Sequence, residues 1–84
     1  MIAKLKSPIF IDALTLELVA PLRSNLRVVI RDENGSVCSR LETSLPNGSH
    51  VVTWKGLNDL PYGIYTLELS QGEDEMKMRL VKRV

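Results

Sequence analysis

Residues 25–44 read NLRVVIRDENGSVCSRLETS, and the reading of this stretch decides the fold. Leu26, Val28 and Ile30 alternate with Arg27, Val29 and Arg31, a period of two that puts one apolar row on one side of an extended chain. Asp32-Glu33-Asn34-Gly35 then breaks the alternation. Asn-Gly between two apolar runs signals a hairpin, because both residues accept the positive φ of a type I′ turn. Residues 36–44 are therefore expected to return antiparallel against residues 25–31.

The alternation continues in both directions. In LTLELVA, residues 14–20, Leu14, Leu16 and Leu18 share one face and Thr15 and Glu17 the other, and Pro21 ends the run. Pro46-Asn47-Gly48 makes a second break, after which His50, Val52 and Trp54 lie opposite Val51 and Thr53. Trp54 is the largest core anchor on offer. GIYTLELS, residues 63–70, sets Tyr65, Leu67 and Leu69 against Ile64, Thr66 and Glu68. A polar tip from Gln71 to Glu75 leads to a last strand with Met76, Met78 and Leu80 inward and Lys77, Arg79 and Arg83 outward.

No window shows the 3.6-residue stripe of a helix, and Pro61 limits residues 56–62 to a loop or a single turn. Short strands spaced by roughly 10 to 12 residues imply an all-β, antiparallel sandwich of about seven strands. Its core is expected to hold Leu16, Val28, Ile30, Val52, Trp54, Tyr65, Leu67, Met78 and Leu80. Residues 1–84 form a single domain, with 1–13 as a loosely ordered lead-in.

An 84-residue chain with 44% apolar and 25% charged residues is composed like an ordinary globular domain. Its formal charge of +1 gives no electrostatic basis for binding nucleic acid, which needs many uncompensated cations. Asp12 and Glu17 interrupt the first apolar run, which excludes a signal-peptide core and membrane insertion there, so the chain is either cytoplasmic or part of a longer secreted precursor. Asn34-Gly-Ser36 and Asn47-Gly-Ser49 fit glycosylation sequons but read better as turns.

His50 is the only histidine and Cys38 the only cysteine, so neither an internal disulfide nor a zinc site with three or four nitrogen and sulfur ligands can be assembled from one chain. His50 follows a turn and reads as a structural side chain rather than a catalytic base. Cys38 reads as a small core or cross-strand residue. The acids at 32–33 and 73–75 lack the spaced ligands of a calcium loop and read as solvated hairpin tips. No cofactor and no enzymatic activity are expected. The alternating bases of the last strand have two readings: a solvated face that discourages edge aggregation, or a recognition strand met by strand addition.

These motifs also carry a family resemblance. Asp32 and Gly35 in the first turn, Gly48 and His50 before the Trp54 strand, Leu60-Pro61, Gly63-Ile64-Tyr65 and the basic run from Lys77 to Lys82 together resemble the C-terminal sorting domain of type IX secretion cargo in Bacteroidetes, over residues 14–84. Related immunoglobulin-like surface and periplasmic domains share some of these elements, and the Tyr-Pro-Asn-Pro-like opening of the family is replaced here by SPIFIDALT. The resemblance implies an immunoglobulin-like sandwich. It also implies recognition of the folded domain by outer-membrane translocation machinery, with Lys77, Arg79, Lys82 and Arg83 as the contact surface and Asp32, Gly35, Gly48, Trp54, Gly63 and Tyr65 as structural positions. It further implies a cargo domain in the same precursor, export through the periplasm to the surface, and cleavage after export. Two other readings stay open: an accessory adhesion or carbohydrate-binding sandwich, and a spacer without a specific ligand. An exposed edge strand could also pair two copies into a homodimer.

Overall fold

The computed structural model describes residues 2–20, 24–46 and 48–83. Over these described residues it is all-β, with eight strands: β1 (Ile2–Leu5), β2 (Ile9–Phe10), β3 (Leu14–Ala20), β4 (Ser24–Arg31), β5 (Val37–Leu45), β6 (Gly48–Trp54), β7 (Gly63–Gln71) and β8 (Asp74–Lys82). They form a sandwich-like pair of sheets, one ordered β1-β3-β6 and the other β2-β8-β7-β4-β5. Pro21 and Asn47, expected to break the chain, lie outside the described residues.

Both sheets obey the alternation in the sequence. Leu14, Leu16 and Leu18 of β3 face Leu26, Val28 and Ile30 of β4 and Leu67, Leu69 and Leu80 of β7 and β8 in one core cluster. Trp54, Tyr65, Leu45 and Phe10 complete it, with Val52, Met76 and Met78 packed half-buried at its margin. The loop after β6 adds Leu57, whose amide donates to the Asp12 carbonyl at 3.0 Å and so ties that loop to the segment before β3. Burying a leucine side chain contributes on the order of 2 kcal/mol, so a row of nine side chains with almost no exposure holds the sheets together.

The lead-in is not loose. Residues 2–5 pair antiparallel with β3, and residues 9–10 cross to the other sheet and pair parallel with the end of β8. The alternation signal failed there because the crossing leaves only four and two residues in each strand. One chain segment thereby laces the two sheets together at one edge.

The hairpin at 32–35 forms, but with a different turn from the one expected. Among the described residues no non-glycine residue has positive φ, which excludes type I′ at Asn34, and within this turn Gly35 alone lies in the left-handed region, at φ 85°. Asp32 organises the turn instead. Its carbonyl accepts from the Gly35 amide at 3.0 Å, and its Oδ1 accepts from the amides of Asn34 and Ser36, both at 2.9 Å. This is the three-residue hairpin with a glycine bulge. A separate register shift follows between Ile30 and Arg31, which pair with Ser39 and Val37. Cys38 is the extra residue at that shift, exposed and without a cross-strand partner in the register, so the expectation of a core or cross-strand cysteine is corrected.

Tyr65 holds the same end of the sandwich, since Arg31 pairs with its neighbour Thr66. Its ring packs edge-on to Phe10 at 6.2 Å, and its hydroxyl donates to the Pro61 carbonyl at 2.6 Å. Burial pushes its phenol above the ordinary tyrosine value.

Candidate interaction surface on the closing strand

The closing strand β8 lies between β7 and the short β2, and its register with β7 runs unbroken from Gly63↔Lys82 to Gln71↔Asp74. The amides of Val81 and Arg83 donate to the carbonyls of Pro8 and Phe10 at 2.9 Å. Odd-numbered residues of β8 therefore aim their backbone groups away from β7. With no bulge in between, the same holds for Glu75, Lys77 and Arg79, and no described strand pairs with them there. The edge is covered at its end by β2 and open over the three residues before it.

The side chains of those odd residues stand on the outer face of the five-stranded sheet. Cross-strand register assembles the face in rows: Glu75, Ser70, Arg27 and Glu42; then Lys77, Glu68, Val29 and Arg40; then Arg79, Thr66 and Arg31; then Ile9, Val81 and Ile64. Arg31 Nε donates to Glu68 at 2.6 Å, Lys77 Nζ lies 3.6 Å from the other oxygen of the same carboxylate, and Arg27 bridges Glu42 at 3.0 Å. The Arg31 hydrogen bond holds the Glu68 carboxyl below its ordinary value, with the charges of Arg31 and Lys77 assisting and partial desolvation opposing. Among the described residues Arg40, Arg79 and Arg83 make no salt bridge, and each is exposed. Arg79 and Arg83 are thereby left available for a partner of the closing strand, whereas Arg40 lies on β5 at the opposite edge of the sheet.

Of the four bases expected to form a contact surface, Lys77, Arg79 and Arg83 are exposed and Lys82 is not. Lys82 is 3% exposed. It follows Met76, Met78 and Leu80 on the inward side of the strand, where its aliphatic stem closes the end of the core. Its ammonium escapes the interior by donating to the Arg83 carbonyl at 2.9 Å and by lying 5.8 Å from the centroid of the Tyr62 ring. The strand period assigned Lys82 inward; its charge made the opposite reading attractive.

The surface also holds residues that charge reasoning passed over. Ile9 and Ile64 flank Val81 in one cross-strand row at 47% and 42% exposure, and Ile11 is exposed just beyond. Arg79 and Arg83 border this apolar row on either side along β8. The signal for it was the apolar residue Ile64 on the outward parity of β7; Ile9 could not have been placed without knowing that β2 crosses to β8.

The expected structural positions fall as follows. Asp32 and Gly35 make the first hairpin, Gly48 starts β6 at φ 120°, and Gly63 starts β7 at φ 145°. Trp54 is buried opposite Leu14. Half-buried His50 places its Nε2 2.6 Å from the Pro46 carbonyl, a partner that fixes the ring at the entry to β6. A groove of about 560 Å³ at the other end of the face is lined by Asn25, Leu26, Arg27, Glu42, Thr43, Ser44, Ser70 and Gly72, with no aromatic ring among them. Among the described residues no group of three or more His, Cys, Asp or Glu side chains could hold a metal ion, and no helix is long and apolar enough to cross a membrane.

No protein-family model matches this chain, and no curated protein matches it either.

Proposed function

We propose that this chain is a non-enzymatic sorting domain of the type IX kind, read as a folded unit by an outer-membrane translocation system and carrying an attached cargo domain to the cell surface. The observation that carries the reading is the closing strand. It joins an open backbone edge at Glu75, Lys77 and Arg79 to a face where exposed Arg79 and Arg83 border the apolar row Ile9, Val81 and Ile64. A surface of that mixed character suits a protein partner, since apolar anchors supply affinity and bordering cations supply orientation and encounter rate.

An immunoglobulin-like arrangement is part of the proposal. The first segment divided between two sheets, the order β2-β8-β7-β4-β5 and the Tyr65 hydroxyl bonded to Pro61 near the start of β7 all favour it. The adhesion or carbohydrate reading has less support. Phe10, Trp54 and Tyr65 are consumed by the core, leaving Tyr62, at 66% exposure, as the aromatic ring available to a sugar.

The test is export of a fluorescent reporter with a signal peptide at its start and these 84 residues at its end, in Bacteroidetes hosts with and without an intact type IX system. Surface fluorescence confined to the intact host supports the proposal. Periplasmic retention in both, with the domain folded, refutes it and directs the search to glycans and other proteins.

A further inference from the structure

We infer that the open edge of β8 is a self-pairing surface, on which a second copy of this chain adds its own β8 antiparallel with Lys77 on the two-fold axis. The dimer does not require the sorting reading; it fills the backbone edge used there and leaves Arg83 and the row Ile9, Val81 and Ile64 uncovered by the added strand. It begins with the backbone. Glu75, Lys77 and Arg79 present outward N–H and C=O groups, bounded on one side by the turn at Gly72 and Glu73 and on the other by β2, which takes over at Val81. The midpoint of this window is Lys77. A two-fold axis there sets Lys77 opposite its copy and Glu75 opposite Arg79 of its copy, twice, so every outward group in the window finds a partner. The two five-stranded sheets become one continuous sheet.

Side chains favour the same register. Acids precede bases along this strand, so antiparallel self-pairing opposes Glu75 to Arg79, whereas parallel pairing would align like charges. The one like pair, Lys77 with its copy, is moderated by the Glu68 carboxylate 3.6 Å from each ammonium. On the opposite side of the strand, Met76 and Met78 are half-buried at the core margin, and the axis brings Met76 against Met78 of the copy, which closes both cores. The far edge of the same sheet is less suited. β5 carries the register shift at Cys38, a feature that twists an edge away from pairing, and its Glu42 is already engaged by Arg27 at 3.0 Å.

Sedimentation velocity across a concentration series, joined to amide hydrogen exchange, tests this. A concentration-dependent dimer is expected, in which the Lys77 and Arg79 amides exchange at least tenfold more slowly than in the dilute monomer. Arg79→Glu should raise the dimer dissociation constant at least tenfold, and adding Glu75→Arg to it should restore most of the affinity, with thermal melts establishing that both variants fold. A chain that stays monomeric throughout the series overturns the inference. So does a dimer that is indifferent to Arg79→Glu, or one in which the Lys77 amide exchanges as fast as in the monomer.

Discussion

Removing the Tyr65 hydroxyl isolates one contact at the end of the sandwich. In Tyr65→Phe the ring keeps its edge-on packing with Phe10 at 6.2 Å, and what is lost is the donation to the Pro61 carbonyl at 2.6 Å. A hydrogen bond of this kind contributes about 1 kcal/mol net, and because Pro61 is exposed, water can resolvate its carbonyl, which keeps the cost near that figure. For a domain of this size about 1 kcal/mol corresponds to a fall of roughly 4 to 8 °C in Tm. Circular dichroism melts at neutral pH would read it. The same pair carries a pH signature. Burial raises the folded-state pKa of Tyr65 above its unfolded value near 10, so the unfolded chain loses this proton first and the associated stability, complete below about pH 10, declines as pH climbs toward the folded value. Wild type should therefore lose stability above about pH 10 more steeply than Tyr65→Phe. A Tm change below about 1 °C at neutral pH, with parallel alkaline profiles, would refute the role given to this hydroxyl.

Gly63→Val forces a β-branched side chain to φ 145°, and since nothing lies within 4 Å of where its Cβ would sit, the cost of about 1 to 3 kcal/mol is backbone strain alone, measurable by urea denaturation. Glu68→Gln should flatten the acid limb of the stability profile: the Arg31 bond lowers the Glu68 pKa, so its contribution is present above the ordinary glutamate value and lost as pH falls through the depressed one. Exposed Cys38 should react fully with a thiol reagent in the native state, and Cys38→Ser should change stability by less than about 0.5 kcal/mol.

Where the alternation runs long, as in Leu26 to Ile30 or Tyr65 to Leu69, the sequence alone located the strands, because a two-residue period with one buried face admits one register. Seven of the nine residues expected in the core are in it, and the other two, Val52 and Met78, pack half-buried against it. What was not legible was non-local. β2 is two residues long and takes its identity from β8, whose paired residues lie 72 positions downstream, so no pattern within it could reveal it. Asp32 was visible as a turn residue, yet its capture of two amides, which replaces type I′ geometry, depends on side-chain conformation. The site was half legible. Lys77, Arg79 and Arg83 follow from strand parity, while the apolar row beside them and the burial of Lys82 depend on where β2 and Tyr62 come to rest.

If a partner reads the closing-strand face of the folded domain, two charge-reversed versions of the domain should differ in surface delivery of the reporter. One carries Lys77→Glu, Arg79→Glu and Arg83→Glu; the other carries Arg40→Glu, an exposed cation at the opposite edge of the same sheet. With both domains melting like wild type, the account predicts that the first leaves the reporter in the periplasm and the second delivers it normally. Equal delivery by the two would contradict it.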